Sequence, residues 1–90
     1  MLEKKENMEQ MWLQEARTKY VDQWIIVVNC YWAKEGNNRM MGYIYDTTTN
    51  EKKAYDMALE LKENGLYDKV AVNEGARSAG RIGSVYLWQV

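Results

Sequence analysis

The chain has 90 residues, 47% of them apolar and 28% charged, which predicts one folded domain, residues 1–90, and excludes a disordered polymer. It contains no histidine, and its formal net charge of −1 disfavours nonspecific binding to nucleic acid or to an anionic membrane. The only cysteine, Cys30, cannot form a disulfide within the chain. No apolar run resembles a signal peptide or reaches the roughly 18 residues of a membrane-spanning helix, so we expect a cytoplasmic protein.

The first predicted element is an amphipathic helix. Residues 1–7 are mostly charged, and we expect them to fray. After them, apolar residues recur at spacings of three and four, which is the period of a helix with one buried face. These residues are Met8, Met11, Trp12, Ala16 and Tyr20. The pattern predicts a helix over Lys4–Lys19.

A β-hairpin follows this helix. The run Trp24–Trp32 is rich in β-branched and aromatic residues, which favour a strand. Residues 33–38 include glycine and two asparagines, which tolerate the backbone angles of a turn. An extended pattern then resumes over Met40–Tyr45, so the two strands should pair.

A second helix is predicted by signals at both of its ends. Thr48 and Glu51 have the spacing of a capping box, and Asn64-Gly65 supplies a stop. Between them, one stripe of small and apolar residues indicates the buried side of the helix. The stripe consists of Ala54, Met57, Ala58 and Leu61.

Two more strands, Lys69–Asn73 and Ser84–Val90, complete the predicted order α-β-β-α-β-β. The fold class is therefore a small single α+β domain, with an antiparallel four-stranded sheet packed against helices.

Alternation along each strand sorts the side chains of the sheet into two faces. One face is predicted to be mainly aliphatic, with Ile26, Val28, Cys30, Met40, Ile44, Val70, Val72, Val85 and Leu87. The other is predicted to be aromatic, with Ile25, Val27, Tyr31, Met41, Tyr43, Tyr45, Tyr86 and Trp88. Neither face is polar, so both should be covered. The second helix suits the aliphatic face, and the aromatic face is covered either by the first helix or by a partner.

The aromatic face is the first candidate for a binding surface, because tyrosine and tryptophan are enriched at protein interfaces. Its candidate residues are Tyr31, Tyr43, Tyr45, Tyr86 and Trp88. The partner is expected to be a second copy, giving a homodimer, or another protein. The same rings could instead stack on nucleobases.

The loop Glu74–Gly83 is the second candidate, because its glycines expose main-chain N–H groups beside Arg77, Ser78 and Arg81. These donors suit a phosphate, a carboxylate or an acidic protein surface. A solvated hairpin loop is the alternative, since the loop matches no phosphate-binding motif.

Catalytic groups are scarce in this sequence. The carboxylates of the second helix alternate with lysines, as on a solvated helix face, and Cys30 has no histidine to activate it. No metal or cofactor is expected. The sequence therefore favours a non-enzymatic binding protein, of the size of the accessory proteins and inhibitors that phages and mobile elements encode. The alternative is a nucleotide or nucleic-acid binder that stacks bases on its aromatic rings and holds phosphate with Arg77 and Arg81.

Overall fold

The computed structural model describes residues 2–33 and 39–78 and confirms the predicted fold class, an antiparallel four-stranded sheet with two helices. In chain order the elements are β1 (Glu9–Trp12), α1 (Leu13–Lys19), β2 (Trp24–Ala33), β3 (Arg39–Thr48), α2 (Glu51–Glu63) and β4 (Val70–Glu74). The predicted strand Ser84–Val90 and most of the predicted hairpin turn lie outside the described residues.

The strand order in the sheet is β1-β3-β2-β4, so the predicted hairpin of β2 and β3 forms its centre. β1 pairs with the free side of β3, and β4 pairs with the free side of β2. Each helix therefore connects two strands that have one other strand between them. α1 leads from β1 across β3 to β2, and α2 leads from β3 across β2 to β4.

Residues 9–12 form a strand where the sequence predicts the interior of a helix over Lys4–Lys19. In β1, Glu9 lies opposite Ile44, and the following three residues continue the pairing with β3. Spacings of three and four do not distinguish a helix from a strand over so short a stretch, and pairing with β3 satisfies main-chain groups along an otherwise open edge. The predicted first helix is thus reduced to α1, and the described order is β-α-β-β-α-β rather than α-β-β-α-β-β.

The register of the hairpin decides which side chains share a face. Val27 lies opposite Ile44, and Val28 lies opposite Tyr43. Side chains directly opposite in an antiparallel pair point to the same face. The predicted sorting placed Tyr43 with Val27 and Ile44 with Val28, and it is wrong on both points. Neither face is therefore aromatic throughout.

Each face is covered by one helix. On the α1 face, Ala16 packs with the buried residues Met11, Ile25, Val27 and Ile44, and Leu13 and Tyr20 add partly buried cover. On the α2 face, Ala54 and Leu61 pack with the buried residues Ile26, Val28, Tyr45 and Tyr67. The prediction that both faces need cover is thus met within one chain.

Two irregularities in the β2–β3 pairing shift individual side chains. Between the pairs Ile26–Asp46 and Val27–Ile44, β3 carries one extra residue, Tyr45. Farther along, Asn29 has a positive φ of 52°, and β2 bulges there. Beyond this bulge Cys30 packs on the α1 face, although simple alternation places it with Ile26.

The second helix is confirmed, but its N-cap lies two residues later than predicted. The side chain of Asn50 accepts a hydrogen bond from the Lys53 N–H at 3.1 Å, so Asn50 is the cap. Thr48 is the last residue of β3, and its hydroxyl accepts from the Asn50 N–H. Gly65, with a φ of 67°, provides the predicted stop. In the described residues no helix is long and apolar enough to cross a membrane.

Candidate functional site

The tyrosines of the predicted aromatic surface lie in different environments. Tyr45 is only 4% exposed and belongs to the core beneath α2. Tyr43 is half-buried and packs against the same core. Tyr31 is 44% exposed, and its hydroxyl accepts a hydrogen bond from Gln10 Nε2 at 3.2 Å. These three residues do not form one exposed surface.

The remaining aromatic candidates, Tyr86 and Trp88, lie outside the described residues, as does Arg81 of the predicted anion loop. The described part of that loop forms hydrogen bonds with the connection between α1 and β2. Gly75 N donates to Gln23 O at 2.7 Å, and Ser78 N donates to Asp22 Oδ1 at 3.1 Å.

The described part of the loop does not concentrate positive charge. The guanidinium of Arg77 forms an ion pair with the Glu74 carboxylate, and both side chains are exposed to solvent. These two residues line a small cleft of about 190 Å³ together with Asp22. The described lining of this cleft carries the guanidinium of Arg77 and the carboxylates of Glu74 and Asp22.

A different cleft is lined by six residues, none of which the sequence analysis selected as a candidate for binding. It has a volume of about 390 Å³, and we call it the tryptophan groove. Its lining consists of Trp12, Leu13, Gln14, Trp32, Arg39 and Met40. These side chains come from the end of β1, the start of α1 and the paired ends of β2 and β3.

The sheet register positions the groove. Trp32 lies opposite Met40, and Ala33 lies opposite Arg39, at the end of β2–β3 that projects beyond β4. Trp12, the last residue of β1, has an extended backbone and is the N-cap residue of α1. The guanidinium carbon of Arg39 lies 4.5 Å from the centroid of the Trp12 ring, a cation–π contact.

Trp32 is the most exposed large apolar side chain that the described residues contain, at 66%. The others are Tyr31, Tyr55 and Leu59, and of these Tyr31 directly precedes Trp32 in β2. Trp12 is half-buried beside it in the groove. The groove therefore combines the half-buried ring of Trp12, the exposed ring of Trp32 and the guanidinium of Arg39, which stacks on Trp12.

A third cleft, of about 430 Å³, lies between β1 and α1 and has charged walls. Lys19 Nζ donates to both carboxylate oxygens of Glu9 at 2.8 Å, and the Tyr20 hydroxyl donates to Glu9 at 3.2 Å. The hydrogen bond from Lys19 lowers the pKa of Glu9, and the same bond raises the pKa of Lys19. Both groups are thus held in their charged forms at neutral pH, which suits an ion pair rather than proton transfer.

The sequence contains a partial signal for the tryptophan groove. Trp32 and Arg39 flank the predicted hairpin turn, so cross-strand pairing places them close together. Trp12 could not be added to them, because its segment was predicted to be part of a helix.

Within the described ranges, no group of histidine, cysteine, aspartate and glutamate side chains could hold a metal ion. Comparison with known protein families, curated proteins and solved structures finds no match for this chain.

Proposed function

We propose that this protein is a non-enzymatic binding protein that contacts a protein partner through the tryptophan groove. The observation that carries the proposal is the exposure of Trp32 beside the stacked pair of Trp12 and Arg39. Tryptophan and arginine are the residue types most enriched at the energetic centres of protein interfaces, where they become desolvated on binding. Exposure of an indole ring to water does not stabilise the unbound protein.

The backbone beneath the groove favours specific binding. Trp32, Arg39 and Met40 stand on paired strands, and the Trp12 ring contacts the Arg39 guanidinium. A site on paired strands loses less conformational entropy on binding than a site on an unpaired loop. The guanidinium stacks on one ring and keeps its N–H edge for a carboxylate of the partner.

The charged cleft between β1 and α1 supports the non-enzymatic part of the proposal. Its best placed carboxylate, Glu9, is ionised, exposed to solvent and paired with Lys19. General acid–base catalysis needs a group whose pKa lies near the working pH. An exposed carboxylate with a lowered pKa does not meet that need.

A nucleotide or nucleic-acid ligand remains the alternative, because the indole rings and Arg39 could hold a base and a phosphate. The net charge of −1 and the pairing of Arg77 with Glu74 favour a protein partner instead. Addition of nucleotides or short oligonucleotides to the purified protein tests this alternative. Quenching of tryptophan fluorescence that disappears in high salt would favour the nucleic-acid ligand.

The test of the main proposal is a photo-crosslinking group placed at Gln14, an exposed residue that lines the groove. A partner that crosslinks is purified, and its affinity is then measured for Trp32→Ala, Arg39→Ala and the control Tyr55→Ala. Tyr55 is also exposed, at 52%, but lies on α2 against Trp24. We expect Trp32→Ala to weaken binding by about thirty-fold or more, as at an interface centre, and Tyr55→Ala to leave it unchanged. Equal affinity of all three variants would overturn the proposal.

A further inference from the structure

Residues 2–7, which we call the leading segment, form neither a helix nor a strand and contact α2, β3 and Tyr67. We call the surface that they cover the groove. Leu2 N donates a hydrogen bond to Glu60 Oε2 on α2 at 3.0 Å. Leu2 is half-buried and lines a cleft of about 230 Å³ with Met57 and Glu60. From Glu3 to Asn7 the residues are exposed, so the segment is held mainly by its backbone and by particular contacts.

Two buried tyrosines form the floor of this groove. Tyr45 and Tyr67 are each 4% exposed, and their rings meet edge to face with centroids 5.9 Å apart. The Tyr45 hydroxyl donates to Glu3 O at 2.6 Å, and the Tyr67 hydroxyl accepts from Lys5 N at 2.8 Å. Both hydroxyls thus bind main-chain groups, which every peptide carries in the same spacing.

Lys5 contacts Tyr45 through its ammonium group. Its Nζ donates to Tyr45 O at 2.7 Å and lies 4.3 Å from the centroid of the Tyr45 ring. Lys4 Nζ lies 5.9 Å from the Tyr67 ring centroid. An ammonium group over a tyrosine ring gains cation–π energy that a neutral side chain lacks.

We propose that this groove is a recognition site for an extended, lysine-bearing peptide segment of another protein, and that residues 2–5 of the chain occupy it. In the groove, the Tyr45 hydroxyl donates to a main-chain carbonyl of the peptide, the Tyr67 hydroxyl accepts from a main-chain N–H, and the Tyr45 ring provides a site for the ammonium group. Displacement of the leading segment leaves the sheet intact, because the pairing of β1 with β3 begins at Glu9. The site is separate from the tryptophan groove, and the proposal does not depend on the function assigned to that groove.

The leading segment competes with any added peptide for the groove. A ligand binds with an apparent affinity reduced by the fraction of molecules whose site is open. Lys5→Ala removes the ammonium contacts of the resident segment while leaving both tyrosines in place. This substitution is at an exposed position, so the fold should tolerate it.

The experiment uses the full chain and a labelled peptide, acetyl-Leu-Glu-Lys-Lys-Glu-Asn-amide, which copies residues 2–7. We expect Lys5→Ala protein to bind this peptide about ten-fold more tightly than the wild-type protein. The matched control Lys62→Ala, which removes an exposed lysine from the last turn of α2, should behave like the wild type. A peptide with alanine in place of the lysine that corresponds to Lys5 should bind none of the three proteins. Trp32→Ala should have no effect.

Two results would overturn the proposal: equal binding of the lysine peptide to Lys5→Ala and wild-type protein, or equal binding of the lysine and alanine peptides to Lys5→Ala protein. Amide hydrogen exchange in the wild-type protein gives an independent measurement. Excess lysine peptide should accelerate exchange at Lys5 N, which donates to Tyr67, and leave exchange in β2 unchanged. Unchanged exchange at Lys5 N under saturating peptide would also contradict displacement.

Discussion

Tyr45 connects three parts of the molecule through one side chain. Its ring packs in the core with Ile26 and Val28, and its edge meets the ring of Tyr67. Its hydroxyl donates to Glu3 O in the leading segment. Tyr45 is the extra residue of β3 at the first irregularity in its pairing with β2. A buried hydroxyl of this kind is stable only because it has a partner.

Burial raises the pKa of the Tyr45 hydroxyl, because the phenolate would lose its hydration in the core. The folded state therefore holds its proton to a higher pH than the unfolded chain does. The contribution of this group to stability is complete below the ordinary tyrosine pKa, near about 10, and is lost as the pH rises from there through the raised value. We expect the free energy of unfolding to fall over that alkaline range.

Urea denaturation at several alkaline pH values measures this effect. Tyr45→Phe should lose less stability over the range than Tyr55→Phe, the matched control on the exposed side of α2, because only the first variant removes the buried phenol. Identical alkaline profiles for the two variants would contradict the assignment to Tyr45.

At the scale of elements, α2 shows what local sequence determines. Its buried side chains Ala54 and Leu61 and its stop at Gly65 follow from spacing and from backbone preference, and all three were predicted. Only the cap was misplaced, because Thr48 and Asn50 are both residue types that cap helices. The extension of β3 to Thr48 decides between them.

Asn50→Ala is expected to lower the free energy of unfolding by about 1 kcal/mol, because the Lys53 N–H loses its acceptor. Asn50→Asp keeps an acceptor at the same position and should cost less. Chemical denaturation of the purified variants measures both. A larger loss for Thr48→Ala than for Asn50→Ala would restore Thr48 as the cap.

β1 and the tryptophan groove show what local sequence does not determine. β1 has only four residues, and its identity depends on an open edge of β3 far along the chain. The groove needs Trp12, Trp32 and Arg39 from three separate segments, so it cannot be predicted before the strand order is known. The bulge at Asn29 changes the facing of every later residue in β2, and composition gives no sign of it.

For the whole molecule, the structure changes the reason for expecting a homodimer. Both sheet faces are covered by the chain's own helices, so no bare face requires a second copy. The large apolar side chains that remain exposed in the described residues are Tyr31 and Trp32, which are adjacent in β2 and point to opposite faces of the sheet, and Tyr55 and Leu59 on α2. A dimer that forms should therefore bury one or more of these side chains.

We predict that the protein dimerises at micromolar concentration through the tryptophan groove, since a small domain gains stability by burying exposed rings against a symmetric copy. Sedimentation equilibrium measures the mass of the wild type, of Trp32→Ala and of the control Leu59→Ala. Trp32→Ala should shift the protein to monomer, and Leu59→Ala should not. A wild-type monomer at every concentration would contradict self-association and leave a different protein as the partner.

The strand order also determines when the sheet can form during synthesis. The central hairpin joins β2 and β3, which are neighbours in the chain, whereas each edge strand pairs with a strand that is distant in sequence. Contacts between sequence neighbours close at a lower entropic cost than distant ones. β1 is made before the other described strands, but it has no pairing partner until β3 has been translated. β4 can join the described sheet only when Glu74 has left the ribosome. We therefore expect the nascent chain to form the hairpin of β2 and β3 first, and β1 to be among the last of the described strands to pair.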